Sequence, residues 1–228
     1  MKPLIVTCSV RNLYPYTYWL NHLNKYDRLI IKGYEHLDAL NKAKAFFLDG
    51  DYTHFIIVAE DVLVKQDDID LLLDDVYKEN YDIIAGYSNF DFYHDWSNIS
   101  LRDLRGMLIY AAEQYNFIKL SDIFSGKYSG IIKVFFQGNS LVCINRYVFK
   151  KVSFRGYKQF YDNLLNKIRP YMLDLAWAID CANQNIPQYV DTRIFIPHAG
   201  NTIHLRDYSN KDIYFIEGKQ KIYKPIST

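Results

Sequence analysis

Along the first ninety residues, short apolar runs alternate with segments whose apolar positions recur every three or four residues. LIVTCSV (residues 4–10) reads as a strand, followed by a loop carrying Arg11 and Asn12. Pro15 then opens a helix with Tyr16, Trp19, Leu20 and Leu23 on one face. YDRLIIKGY is a second strand closing at Gly33, and EHLDALNKAKAFFLDG is a helix ended by Gly50. THFIIVAEDV is a third strand. Asp67 caps the next helix, with Ile69, Leu72, Leu73 and Val76 inward and Asp74 and Asp75 outward. YDIIAGY is a fourth strand. Four strand–helix alternations predict an α/β fold with a mostly parallel, Rossmann-like sheet flanked by helices.

Beyond residue 88 the pattern loosens. SNFDFYHDWSN is loop-like, LRDLRGMLIYAAEQY reads as a helix, and SDIFSGKYSG is polar with two glycines. IIKVFFQGNSLVCINRYVF predicts a strand pair around Gln137-Gly138-Asn139-Ser140. Tyr157, Phe160, Tyr161, Leu164, Leu165 and Ile168 fall on one helical stripe and predict a core-facing helix. MLDLAWAIDCANQN is a further helix, and YVDTRIFIPHAGNTIH a strand ending at His198. No repeat, low-complexity tract or linker interrupts the 228 residues, which predicts one domain.

Composition sharpens this in three ways. Half the residues are hydrophobic, enough for a sizeable core, and the net charge of +1 gives no global field for nucleic acid. The charge is segregated: residues 60–95 hold eleven Asp/Glu against two Lys, and 118–170 hold ten Lys/Arg against two Asp. That pattern suits a cation on one side and an anion or an anionic membrane surface on the other. Cys8, Cys143 and Cys181 form no CxxC or Cys/His cluster, which points to a reducing, cytoplasmic setting. The apolar stretch at the N-terminus is too short to span a membrane.

Parallel sheets bind ligands beyond the carboxyl ends of their strands. Glu60 and Asp61 fall at one such end. Thr7, Ser9 and Arg11 follow the first strand and Lys32 the second, which makes them candidates for nucleotide contact. Adjacent carboxylates there would hold a hard divalent cation, and oxygen ligands favour Mg²⁺ or Mn²⁺ over zinc.

In motif order across residues 4–205, the chain resembles GT-A type nucleotide-sugar glycosyltransferases. Their Asp-x-Asp motif aligns with Ala59-Glu60-Asp61, so the first Asp is replaced by Ala while the final one is kept. The resemblance implies that Asp61 holds the metal with Glu60 as its helper, and that His198 joins as a further metal or diphosphate ligand, with His204 a competitor. It implies base or diphosphate contacts from Asn41 and Lys44, and places Ala59 and Glu60 beside the nucleotide. FFQGNSLVCINRYVF resembles the family's small antiparallel acceptor-side element, with Gln137, Gly138, Asn139 and Ser140 against sugar hydroxyls. Asp174 stands where inverting members carry the general base, with Asp180 the alternative. The implied division is a nucleotide-binding half over 1–90 and an acceptor-side half over 91–228.

The expected activity is transfer of a sugar from a UDP- or GDP-linked donor to a saccharide, glycoprotein or lipid-linked acceptor. Two alternatives remain open. A nucleotidyltransferase would ordinarily carry a glycine-rich loop after the first strand, and TCSVRNLYP has no glycine. A catalytically inactive, glycosyltransferase-like binding module would be consistent with Ala59.

Overall fold

The computed structural model describes residues 1–9, 23–89, 95–107, 116–162 and 167–198, with short strands at 203–206, 213–216 and 224–225. The expected helix after Pro15 lies outside the described residues, as does Arg11. The chain forms β1 (Pro3–Ser9), β2 (Asp27–Lys32), α1 (His36–Asp49), β3 (His54–Val58), α2 (Gln66–Glu79), β4 (Ile83–Tyr87) and β5 (Ile99–Ser100). There follow α3 (Leu120–Phe124), β6 (Ile131–Val134), β7 (Phe136–Gln137), β8 (Leu141–Asn145), β9 (Lys158–Asp162) and β10 (Lys167–Tyr171). The last elements are α4 (Leu173–Asn183), β11 (Gln188–Phe195), β12 (Ile203–Arg206), β13 (Ile213–Ile216) and β14 (Lys224–Pro225).

Seven strands make the central sheet, in the order β2-β1-β3-β8-β4-β11-β6. β1 pairs in parallel with β2 and β3, and β4 with β11, while β8 and β6 run antiparallel to their neighbours. Five of the seven strands therefore end on one edge. β8 runs the other way, so its beginning lies where β3 ends: Leu141 pairs with Val58. That reversal carries the 138–140 turn to the edge where the parallel strands end.

β3 and β4 are buried at every position, as strands covered on both faces must be. Period-2 alternation splits β1 between two cores. Leu4 and Val6 join Leu40, Ala43 and Phe47 of α1, whereas Ile5 joins Ile69, Leu72 and Val76 of α2. Helix α1 has no basic residue in its last turn. Arg146, immediately after β8, supplies the charge instead. Its guanidinium donates to the carbonyls of Phe47, Leu48, Gly50 and Tyr52 at 2.5–3.0 Å, satisfying carbonyls around the helix end.

Four expectations are corrected. The helix expected over 157–168 is the antiparallel hairpin β9–β10, in which Ile168 pairs with Tyr161. These residues are 64% and 54% exposed, so the stripe is not core. The short ladder accepts Pro170, which lacks a donor, at a position no long helix would tolerate. The strands within 131–149 form, but they do not pair with each other: β8 inserts between β3 and β4, and β6 lies at the sheet edge. Residues 101–107 are turns rather than helix, with 108–115 outside the described residues. Asp75 points inward, because Arg193 of β11 meets it at 2.7 Å.

Candidate functional site

Two cavities adjoin at the edge of the sheet where the parallel strands end. One, of about 550 Å³, reaches Cys8, Leu40, Ile57 and Glu60; the other, of about 450 Å³, reaches Asn89, Asn98, Gly138, Ser140, Asp174 and His198. His36, Ala59, Asp61, Asn139 and Arg169 line both, so the two are chambers of one cleft.

Asp61 stands on the shared wall. His198 Nε2 lies 3.0 Å from its Oδ2. The pairing follows from the backbone: Val62 and His198 form an antiparallel bridge, and Leu63 N–H donates to the Pro197 carbonyl. His198 N–H donates to Asn89 Oδ1 at 2.9 Å, which fixes the approach of that segment to the end of β4. Glu60 turns elsewhere. It is 5% exposed and close enough to Cys8 to add to the burial that pushes that thiol up to about 12.

A polar network underlies the second chamber. Ser88 N–H donates to Asn98 Oδ1 at 2.8 Å, Asn98 Nδ2 donates to Ser140 Oγ at 3.2 Å, and the Ser88 and Ser140 hydroxyls are 2.8 Å apart. Gly138 completes the packing. A Cβ there would lie 2.6 Å from Asn98 Nδ2, so glycine admits the Asn98 side chain rather than a backbone conformation. Asn139 Oδ1 is buried with no hydrogen-bond partner among the described residues. An unsatisfied buried acceptor on a cleft wall suits a ligand donor.

Asp174, in the first turn of α4, lines this same chamber and accepts the Leu175 N–H at 2.9 Å. Asp180 faces away and is held bidentately by Arg155 at 2.7 Å. The cleft thus collects Ala59, Glu60, Asp61, Gly138, Asn139, Ser140, Asp174 and His198. Gln137 lines neither chamber; it is buried in β7, opposite Ile99. Strand alternation gives the first chamber Cys8 in place of Thr7, which is buried. Ser9 and Lys32 pair at the ends of β1 and β2, with the Ser9 side chain outside the described residues. Asn41 is exposed on α1 and lines neither chamber. Lys44 is directed to Ser153 Oγ at 2.7 Å, and burial lowers its pKa. His204 falls in β12, its side chain outside the described residues.

His36, Ser88, Asn89, Asn98 and Arg169 line the cleft in addition to the residues expected from the sequence. For Arg169 a signal existed, because Pro170 beside it argues against the helix the stripe suggested. Asn98 carried none: its role depends on Gly138, forty residues away in sequence.

Among the described residues no group of three or more His, Cys, Asp or Glu converges as a metal site. Asp61 and His198 are a two-residue donor set. Of the two, only Asp61 is a carboxylate; Mg²⁺ is bound through one or two carboxylates and completed by substrate phosphates and water, so the site could hold it only together with a phosphate ligand. No described helix is long and apolar enough to cross a membrane.

No family model matches the sequence, and no curated protein does. Among solved structures, A197 from STIV superposes with a TM-score of 0.58 over 97% of this chain and 98% of that one, at 15% identity. The likeness is one of fold: a central, mostly parallel sheet flanked by helices. A CMP:2-keto-3-deoxy-manno-octonic acid synthetase complexed with CTP aligns over 83% of this chain and 89% of its own, with a TM-score of 0.44 and 9% identity. A Bacillus anthracis protein assigned as a glucose-1-phosphate thymidylyltransferase gives 0.42, with 12% identity over 87% of this chain and 89% of that one. Both of these are loose resemblances.

Proposed function

We propose that the chain is a metal-dependent glycosyltransferase of GT-A type, moving a sugar from a UDP- or GDP-linked donor to a hydroxyl of a saccharide, glycoprotein or lipid-linked acceptor. The observation that carries this reading is Asp61 on the wall between two chambers, paired with His198 of the second, at the edge where strands end, with Asp174 lining that second chamber. One chamber suits the nucleotide and the other the transferring sugar and its acceptor.

Asp61 would hold Mn²⁺ or Mg²⁺ through its carboxylate, with His198 as a second ligand. When bound, the cation would neutralise charge developing on the leaving diphosphate. The other roles belong to the chain. Asn139 Oδ1 accepts from a sugar hydroxyl and orients the ring, with Gly138 and Ser140 forming the adjacent floor. Asp174 removes the acceptor hydroxyl proton as the oxygen attacks the anomeric carbon and the sugar–phosphate bond breaks, which inverts that centre. Ala59, where the motif loses its first carboxylate, leaves Asp61 as the principal acidic ligand.

The test is a screen of UDP- and GDP-sugars for nucleoside diphosphate release, with and without Mn²⁺, on wild type and Asp61→Asn. The reading expects Mn²⁺-dependent release that Asp61→Asn abolishes. Release of pyrophosphate from a nucleoside triphosphate and a sugar phosphate, with no nucleotide-sugar turned over, would replace it with nucleotidyl transfer.

A further inference from the structure

Among the described residues lining the two chambers, Arg169 alone carries a permanent positive charge, against the carboxylates of Glu60, Asp61 and Asp174. It projects from β10 to a position on both chambers. Its Nε donates to Glu35 Oε2 at 2.9 Å, and its Nη2 lies 2.7 Å from the same oxygen. The two side chains are 29% and 26% exposed, so both stay partly open to solvent at the margin of the cleft. Glu35 immediately precedes α1, in the connection after β2, so the pair ties the β9–β10 hairpin to that connection beside the cleft.

A diphosphate offers the guanidinium more negative charge and several oxygens with matching fork geometry. We propose that Arg169 is a cation shared between Glu35 and the phosphates of the bound nucleotide, with Glu35 acting as an internal competitor that sets the affinity. The inference rests on the nucleotide-diphosphate reading above. Arg169 contacts the diphosphate, and Glu35 acts through Arg169 by holding it back from the ligand.

Calorimetric titration of the full chain with inorganic pyrophosphate in EDTA isolates this pair from any metal at Asp61. Arg169→Gln should weaken binding at least tenfold, with Arg169→Lys intermediate because a point charge replaces the fork. Glu35→Gln should tighten binding about two- to fivefold, the scale of a partly exposed ion pair, and the double variant should lose that gain. A merely structural tie predicts the reverse for Glu35→Gln: lower melting temperature and unchanged or weaker pyrophosphate binding. That result, wild-type affinity in Arg169→Gln, or no binding by either wild type or Glu35→Gln, would overturn the proposal. If Arg169→Gln fails to fold, as its melting curve would reveal, the sign of the Glu35→Gln change decides. Pyrophosphate binding that responds to both positions, without turnover of any nucleotide-sugar, would leave this site standing and remove the glycosyl-transfer reading.

Discussion

Replacing Arg193 with methionine should destabilise the protein most where its carboxylates are charged. Arg193 Nη2 contacts Asp75 at 2.7 and 2.8 Å, and Asp191 at 2.8 Å, while Nε adds contacts to Asp191 at 2.9 and 3.1 Å. The Asp75 and Asp191 side chains are 8% and 0% exposed. One guanidinium therefore serves two buried carboxylates. Removing one partner of a buried ion pair costs about 3–5 kcal/mol, because a charge is left behind in the interior. Arg193 itself is half exposed, which screens its side of the interaction and places the expectation at about 2–4 kcal/mol. For a chain of this size that corresponds to a fall in Tm of about 4–16 °C.

The pH dependence has a definite sign. Burial, and then the hydrogen bond with Asp191, already raise the Asp75 pKa despite Arg193. A carboxyl whose folded pKa is raised contributes stability that is present at low pH and is lost as pH rises through that value. Losing Arg193 raises it further. The melting temperatures of wild type and Arg193→Met should therefore differ most above neutrality and converge as the pH is lowered toward the carboxylate range. Thermal melts monitored by circular dichroism across that range provide the assay. A difference below about 1 kcal/mol at neutral pH, well short of the cost of a broken buried pair, would refute the reasoning, as would a difference independent of pH. The consequence reaches the site, because this triad fastens α2, which follows the Asp61 loop, to β11, which leads to His198.

Two further outcomes are expected. Gly138→Ala should cost about 1–3 kcal/mol by forcing Asn98 out of its hydrogen bonds with Ser88 and Ser140, and should weaken ligand binding as well; an unchanged melting curve would show that the floor can yield. Asp174→Asn should preserve donor binding while lowering turnover by ~100-fold or more, as loss of a general base does; normal transfer by this variant would move the base elsewhere or make the reaction retaining.

What could be read from the letters was whatever local periodicity controls. β3 and β4 were legible because strands buried on both faces are continuous apolar runs, and α1 and α2 because their inward residues recur at helical spacing. The place of Glu60 and Asp61 just beyond the end of β3 was legible too, since they follow an apolar run. What escaped depends on partners distant in sequence. The helical angle of Asp75 points it outward, yet it turns inward for an arginine 118 residues away. The local pattern makes β8 half of a neighbouring pair, whereas it completes the sheet between β3 and β4. At 157–168 the apolar residues satisfied a helical stripe, yet Tyr161 and Ile168 lie opposite each other on an exposed ribbon. Reading that segment as helix also hid Arg169.

The central claim is that Asp61 holds a divalent cation against a nucleotide diphosphate. Calorimetric titration of UDP and GDP into wild type and Asp61→Ala, each with and without Mn²⁺, tests it most directly. The account predicts Mn²⁺-enhanced binding in wild type that disappears in Asp61→Ala while the melting temperature stays close to that of wild type. Equal, Mn²⁺-responsive affinity in both proteins would contradict it.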